Sequence, residues 1–329
     1  MRSTSLFSSH LRLAVLAILA AGIFFQAVPA QAQYPQKPIR VFLPFAPGGI
    51  GDITFRLVTG KITERTGMKF AIENRPGAGG IASAIAGKTA APDGHSLLQV
   101  GNSYTLSTSL FASLPYDVIK DFAPISTLAQ FDLLLATKST GSIGTIAQLI
   151  EFDRANPGKL NFGAISAGST QNISAEIFKK VIGSQASVVP YKSSPELINS
   201  VQRGDIDVAF DYLAALAPAL AGNQIKIIAS AGARRSPLTP DTPTVAESGW
   251  PAYLVTSWNG IAAPAGTPRE IIDKLNREIT AVLQLPEMQD RFRQLGMEAA
   301  SGTPDEMAAR LKTDINRWRD VISKYGLRQ

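Results

Sequence analysis

The sequence predicts an α/β fold organised as two doubly wound lobes with a cleft between them. Two observations carry this prediction. From Pro38 onward, short apolar runs alternate with segments of helical periodicity, which is the pattern of strands crossing over through helices. The alternation also runs through two separate series in a chain of 329 residues, a length that allows two domains with their own cores.

The first series predicts three strands and two helices. Strands are expected at residues 39–45, 69–73 and 96–101, and helices at residues 52–66 and 80–90, the first of them closed by Gly67. Because this order is βαβαβ, we expect a parallel sheet covered on both faces.

The second series has the same character. Helices are expected at residues 145–155, 170–182 and 194–203, and strands at residues 160–165, 187–191, 206–210 and 225–230. Beyond it, apolar stripes at residues 268–283 and from Met307 to Ile322 predict packing helices. The chain is expected to cross between lobes near residues 128–133 and 253–258. This gives lobe 1 as residues 33–130 plus 255–329 and lobe 2 as residues 131–254.

The N-terminus has the features of an export signal. A basic start precedes an apolar stretch over residues 13–25, which is too short for a helix spanning a bilayer. Ala30-Gln31-Ala32 then matches an A-x-A cleavage site. We expect residues 1–32 to be a signal peptide that is removed after Ala32, leaving a periplasmic protein. An uncleaved N-terminal anchor is the alternative.

Composition restricts the chemistry. The chain has no Cys and 2 His, and one of these lies in the signal segment. Zinc sites built from Cys and His are thereby excluded, and His95 alone could serve a Ser-His-Asp triad. The net charge is +6 and the basic residues are scattered, so no nucleic-acid surface is expected. We predict a protein without catalytic residues, metal or cofactor.

A glycine-rich turn, "PFAPGGIGD" at residues 44–52, follows the first predicted strand and precedes a helix. Crowded glycines let a backbone approach a ligand closely, and free N–H groups at a helix N-terminus favour an anion. Candidate binding residues here are Phe45, Gly48, Gly49, Ile50, Gly51 and Asp52. A tight turn without a ligand is the alternative, and so is a nucleotide-binding enzyme. Against the enzyme, "GIGDIT" lacks the third glycine of a dinucleotide motif, "GAGGIA" follows no strand end, and "ASAIAGKT" lies inside a helical pattern.

A second loop has the same design. "GAISAGSTQN" at residues 163–172 also lies between an apolar strand and an amphipathic helix. Its candidate residues are Ser166, Gly168, Ser169, Thr170 and Asn172. Ligands of α/β sheets bind outside the carboxyl ends of strands, so two such ends facing each other predict a pocket for a small carboxylate.

Two further polar residues follow predicted strands. Asn102 comes after residues 96–101, and Asp211 comes after residues 206–210. Each could reach the cleft. The alternatives are a turn Asn that bonds its own backbone and an Asp that caps a helix.

Several stretches together resemble the Bug family, the extracytoplasmic solute receptors of tripartite tricarboxylate transporters. They include "YPQKPIRVFLPFAPGGIGD", "ENRPGAGGIASA", "PGKLNFGAISAGSTQ", "DVAFDY" and "SWNGIAAPAGTP". The resemblance runs from about Tyr34 to the C-terminus. It implies a type-II-like periplasmic binding protein that closes on a small organic acid, held by amides and hydroxyls of the two loops. It also implies membrane permease subunits as partners. We expect a monomer, and a receptor that serves a signalling partner is the alternative.

The chain departs from the family pattern in three places. Ile50-Gly51 stands where the family has a small polar pair, Asn172 where it often has His, and Tyr212 where "FDN" is common. Ile50 removes a hydroxyl donor and adds an apolar wall. A less polar acid, aromatic or amide-bearing, therefore comes into consideration as the ligand.

Overall fold

The computed structural model describes residues 34–328. Within this range there are ten strands and ten α-helices. The strands are β1 (Ile39–Leu43), β2 (Phe70–Asn74), β3 (Ser96–Gly101), β4 (Phe122–Lys138), β5 (Asn161–Ile165), β6 (Ser187–Tyr191), β7 (Val208–Tyr212), β8 (Ile225–Ser230), β9 (Thr256–Pro264) and β10 (Met297–Ala299). The predicted signal segment and Gln33 lie outside the described residues.

Most of the helices lie between consecutive strands. They are α1 (Ile50–Thr66), α2 (Ile81–Lys88), α3 (Asn102–Leu110), α4 (Ile146–Ala155), α5 (Thr170–Val181), α6 (Ser194–Arg203), α7 (Leu213–Ala221), α8 (Arg269–Leu283), α9 (Pro286–Gln294) and α10 (Pro304–Tyr325). No helix in the described range is both long and apolar enough to cross a membrane.

One long strand divides the sheet into two parts. In the first part, β2, β1 and β3 are parallel, and β9 joins β3 and the beginning of β4 as an antiparallel strand. In the second part, the end of β4 pairs antiparallel with β7 and β8, and β7, β5 and β6 are parallel. We call these parts, with their helices, the first and second halves.

The halves meet inside β4. Asp132 pairs with Thr256 of β9, and the next residue, Leu133, pairs with Tyr212 of β7. The connection is therefore a continuous 17-residue strand rather than a flexible linker. The chain from Lys37 onward clusters as one compact unit.

Each half has its own apolar core. Phe42, Val100 and Trp258 belong to the first core, and Leu134, Leu197 and Leu216 to the second. Burial of each such side chain stabilises the fold by about 1.5–3 kcal/mol. Phe45 belongs to the first half by sequence, yet it packs against the second core.

The α/β prediction is confirmed, and so is the parallel pairing of the first βαβαβ series, β2, β1 and β3, but the sheet also contains antiparallel strands that were not predicted. The strands that return the chain between halves, β4 and β9, run antiparallel to their neighbours. Strands β4 and β9 carry the chain from one half to the other and are not joined to their neighbours by βαβ crossovers. The parallel direction that such crossovers impose therefore does not apply to them.

Three helices were not predicted, α3, α7 and α9. The helices α3 and α7 both begin at the residue that directly follows a strand. The sequence of α3, NSYTLSTSL, has no apolar stripe, and α7, LAALAPALA, is apolar on all sides. Neither has the 3.6-residue periodicity by which an amphipathic helix is recognised.

Candidate functional site

The first glycine loop is held by its own helix. Gly48 has a φ of 86°, the left-handed region that favours glycine. Its N–H donates to Asp52 Oδ2 at 3.3 Å. Asp52 also accepts from Arg56 Nε at 3.0 Å and from Asn74 Nδ2 at 3.2 Å. The Asp52 carboxylate therefore holds the loop in this conformation by its hydrogen bonds.

The charge of Asp52 is stabilised by these donors. Burial by itself would raise the pKa of Asp52, but the hydrogen bonds from Arg56, the Gly48 N–H and Asn74 outweigh it and lower the pKa. The carboxylate is thus ionised at neutral pH and remains a strong acceptor for the loop.

The second glycine loop is built in the same way. Gly168 has a φ of 78°, and its N–H donates to Asn172 Oδ1 at 3.2 Å. The Ser169 hydroxyl caps α5 by accepting from the Asn172 N–H at 3.1 Å, and it donates to the Ile165 carbonyl. The Ser169 hydroxyl and Asn172 Oδ1 therefore form their hydrogen bonds within the loop and its helix.

Several helix N-termini converge beside these loops. The helices α1, α3 and α7 begin after Gly49, Gly101 and Tyr212, and none of the three has a side-chain cap. Their first N–H groups have no partner within the helix, and each N-terminus carries a partial positive charge. The residues at these starts, together with Thr170 and Gln171 of α5, line one pocket.

The pocket lies between the two halves. Its volume is about 30 Å³, room for no more than about two water molecules, so the pocket is almost shut in this conformation. Its walls are apolar and neutral polar, and none of the lining side chains is charged. The lining residues are Phe45, Gly49, Ile50, Gly51, Gln99, Gly101, Asn102, Ser103, Phe131, Ile165, Thr170, Gln171, Tyr212, Ser257 and Trp258.

The two halves approach each other closely at both glycine loops. A Cβ placed on Gly168 would lie 3.2 Å from Phe111 Cζ, at the end of α3. A Cβ on Gly48 would lie 3.3 Å from Pro195 Cγ, at the start of α6. Each glycine loop therefore abuts an element of the opposite half.

The structure divides the sequence-predicted residues into two groups. Those that line the pocket are Phe45, Gly49, Ile50, Gly51, Asn102 and Thr170. The others, Gly48, Asp52, Ser166, Gly168, Ser169, Asn172 and Asp211, are not on its wall. Ser166, with a φ of 42°, is half-buried and forms the turn between β5 and α5.

Asn102 and Asp211 have different positions. Asn102 is the first residue of α3, and its Nδ2 donates to the Thr256 carbonyl at 3.1 Å. Asp211 lies one layer behind the wall and is 0% exposed. Its Oδ1 accepts from the Tyr212 N–H at 2.9 Å and from the pocket residue Gln171 at 3.4 Å. Burial raises the pKa of Asp211, and nearby Ser194, the Tyr212 N–H and Gln171 offset only part of this.

Sequence reasoning missed much of the wall. Gln99 precedes the end of β3, and a Cβ on Gly51 would lie 2.5 Å from its Oε1, so any side chain at residue 51 would displace the Gln99 amide. Tyr212 and Phe131 form an edge-to-face pair with centroids 4.6 Å apart. Tyr212 ends β7 and is followed directly by a helix, whereas Gln99 lies two residues before the end of β3. Phe131, Ser257 and Trp258 join the pocket wall through the pairing of β4 with β9. Nothing in the sequence around these residues indicates that pairing.

Comparisons with known proteins place the chain in a family. The model of the tripartite tricarboxylate transporter family receptor matches residues 54–327. Protein BugT of Bordetella pertussis is 30% identical over 316 residues, 95% of this chain and 97% of that protein. A protein from the tcbD-tcbE intergenic region of Pseudomonas sp. strain P51 is 29% identical over 316 residues, 95% of this chain and 94% of its own length.

Solved structures agree with these relatives. R. palustris Rpa4515 with adipate superposes with a TM-score of 0.86 at 31% identity, covering 89% of this chain and 98% of that chain. MatC from Rhodopseudomonas palustris with bound malate has a TM-score of 0.83 at 29% identity, with 88% and 100% covered. The periplasmic binding protein BugD has a TM-score of 0.86 at 26% identity, with 90% and 99% covered.

The resemblance of the sequence to the Bug family is thus confirmed, and with it the two-lobed binding-protein fold and the assignment as a periplasmic solute receptor rather than an enzyme. The chain belongs to the receptor family of the tripartite tricarboxylate transporters.

Proposed function

We propose that this chain binds a small organic acid in the pocket between its halves and delivers it to the membrane permease subunits of a tripartite tricarboxylate-type transporter. One observation carries the proposal: three helix N-termini without side-chain caps meet at a pocket that has no charged side chain on its wall. Free N–H groups in such an arrangement favour a carboxylate. Related proteins have adipate or malate bound.

The two groups of predicted residues have different roles in this proposal. The backbone N–H groups at Gly49, Ile50, Gly51 and Thr170 hold the carboxylate. Asp52 and Asn172 keep Gly48 and Gly168 in their left-handed conformations, and Ser169 keeps α5 capped. Asn102 acts from the pocket wall, and Asp211 acts from behind Gln171. Ser166 shapes the second loop.

The carbon frame of the ligand meets apolar residues. Ile50, Phe131 and Trp258 all lie on the wall and are nearly buried. We therefore infer an acid with an apolar body, aliphatic or aromatic, rather than one covered with hydroxyl groups.

Capture requires the halves to move. A pocket of about 30 Å³ is much smaller than the 300–1,000 Å³ typical of small-molecule sites. We propose that residues 33–130 plus 255–329 form lobe 1 and residues 131–254 form lobe 2, and that bending within β4 and β9 opens the pocket to admit the acid.

We further propose export to the periplasm with cleavage after Ala32, and function as a monomer. N-terminal sequencing of the exported protein should give Gln33 as the first residue. Retention of Met1 in a membrane fraction would contradict the cleavage.

A thermal-shift panel tests the binding function. A ligand at a hundredfold excess over Kd stabilises the folded state by about 2.7 kcal/mol, and for a chain of this size each kcal/mol raises the melting temperature by roughly 2–4 °C. Adipate, malate and aromatic monocarboxylates should include acids that raise it by more than about 5 °C. A panel in which only sugars, polyamines or nucleotides stabilise the protein would contradict the proposal.

A further inference from the structure

A second and much larger cleft lies next to the candidate pocket. Its volume is about 790 Å³. One wall is the segment from Arg234 to Thr239, in the second half, and the other is formed by the end of α9 and by β10, in the first half. Asp132 and Thr256 form its floor, where the Thr256 hydroxyl donates to Asp132 Oδ1 at 2.8 Å.

The pairing of β4 with β9 separates this cleft from the candidate pocket. Side chains of successive strand residues point to opposite faces. Ser257 lines the pocket, whereas its neighbour Thr256 and the partner of Thr256, Asp132, line the second cleft; Phe131, which pairs with Ser257, lines both spaces. The two spaces therefore lie on either side of the same pair of crossing strands and share Phe131.

Bending of this strand pair must change the two spaces in opposite directions. Leu133 N–H donates to the Val255 carbonyl and Ala231 N–H to the Leu133 carbonyl, so the crossing strands act as a hinge. With the pocket almost shut and the second cleft wide, the structure has the conformation expected when the halves are closed. Opening the pocket draws the walls of the second cleft together.

Opposite charges face this cleft from its two walls. Arg234 is exposed on one wall and Glu298 on the other, and both lie near enough to Asp132 to act on its charge. The side chains of Arg234 and Glu298 form no ion pair or hydrogen bond with any described residue. Neighbouring charges are already paired, Arg235 with Glu247 and Arg293 with Asp290.

We propose that Arg234 and Glu298 form an ion pair when the second cleft narrows, and that this pair stabilises the open form of the receptor, from which the acid is released. This inference rests on the closure included in the proposed function. Any contact that draws the two walls of the second cleft together would likewise open the pocket.

Charge reversal tests the pair directly. The chain contains no Cys, so fluorophores at Ser113→Cys and Lys180→Cys, one in each half, report the distance between the halves by single-molecule energy transfer. Without ligand, Arg234→Glu should lower the open-to-closed ratio by about 1.4- to fivefold, the range for an exposed ion pair of 0.2–1 kcal/mol. Glu298→Arg should do the same.

Matched variants separate the pair from general charge effects. The double variant Arg234→Glu/Glu298→Arg should restore the wild-type ratio, and 1 M salt should remove the differences. Lys159→Glu makes the same charge change at an exposed position away from the cleft and should leave the ratio unchanged.

Three outcomes overturn the inference: ratios equal to wild type in both single variants, failure of the double variant to restore the ratio, or an equal effect of Lys159→Glu. Adipate and malate are added in a separate arm. If either acid shortens the distance in the wild type while the charge variants change nothing, the ion pair is wrong and the proposed function stands. If no carboxylate shortens it, closure itself fails.

Discussion

Asp52 and Asn172 occupy equivalent positions in the two halves. Each is the third residue of its helix and accepts a hydrogen bond from the N–H of a left-handed glycine four residues earlier. The distances are 3.3 Å for Asp52 and 3.2 Å for Asn172. Two unrelated stretches of sequence thus fix their loops by the same hydrogen bond, and both loops present the start of a helix to the pocket.

Removal of either brace should weaken binding and stability together. Asp52→Ala and Asn172→Ala each leave a loop N–H without its acceptor, which costs about 1–3 kcal/mol where that group is buried. Unfolding in urea and calorimetric titration with a stabilising acid measure the two effects. Asn172→Asp keeps the acceptor and serves as the control. Full affinity in both alanine variants would show that the loops need no bracing.

Replacement of the loop glycines should give two different results. Gly49 has a φ of −83°, and a Cβ there would lie 3.7 Å from the nearest atom, Ser194 Oγ. Gly49→Val should therefore fold normally, but its methyl groups obstruct the first N–H groups of α1, so affinity should fall at least tenfold. That fall corresponds to the loss of about one charge-assisted contact.

Gly168→Val should lose both affinity and stability, because φ is 78° and Phe111 leaves no space. Circular dichroism with calorimetry distinguishes the two variants. An unchanged affinity in well-folded Gly49→Val would argue against contact between this loop and the ligand.

Asp211 should make stability fall as the pH rises. Burial raises the pKa of Asp211 in the folded state, so between the unfolded and folded pKa values the folded protein holds a proton that the unfolded chain has lost. Stability is full below the unfolded pKa, near 3.9, and is lost as the pH rises through the folded pKa. Asp211→Asn cannot ionise and should lack this decline.

The quantity to compare is the difference in stability between Asp211→Asn and wild type. Asp52 has a lowered pKa and makes stability rise with pH in both proteins, so its contribution cancels in the difference. Melting curves from pH 4 to pH 8 should show the variant gaining stability relative to wild type as the pH rises. A difference that stays constant over this range would mean that the buried carboxyl does not titrate abnormally.

Trp258 should report ligand binding by fluorescence. It lies on the pocket wall, its Nε1 donates to Asp314 at 2.6 Å, and Arg310 lies 4.6 Å from its ring. A stabilising acid should produce a saturable change that Trp258→Phe loses and the control Trp250→Phe retains. Trp258→Phe should also cost about 1–3 kcal/mol of stability, since Asp314 loses its buried donor. A signal that follows Trp250 instead would place the ligand elsewhere.

The sequence predicts elements best where helix caps and periodicity agree. Helix α6 has the predicted bounds, with Ser193 as N-cap and Gly204 as C-cap. Strand β7 was predicted two residues early, because Ile206 continues the apolar run but lies before the ladder begins. Helix α3 was missed because its Ser and Thr hydroxyls bond to backbone carbonyls within the helix, as Ser107 does to Ser103 at 2.7 Å, and these residues are ordinarily poor helix formers.

The candidate site was predicted in part for a related reason. A loop between a strand and a helix is visible locally, so Gly49 and Thr170 could be found. Gln99, Tyr212 and Trp258 reach the same pocket from three other segments, and only the sheet register brings them together. The Ser169 hydroxyl was predicted to donate to the ligand, but it turns back to its own backbone, a choice that depends on three-dimensional geometry.

The most direct test of the central claim, that backbone N–H groups at helix starts hold a carboxylate, compares each acid that stabilises the protein with its methyl ester by calorimetric titration. For a dicarboxylate, both monoesters and the diester are titrated. The ester keeps the carbon frame but not the charge, and each lost charge-assisted hydrogen bond costs about 1.5–3 kcal/mol. We expect the full ester to bind at least a hundredfold more weakly than the acid. An ester that binds as tightly as its acid would contradict the account.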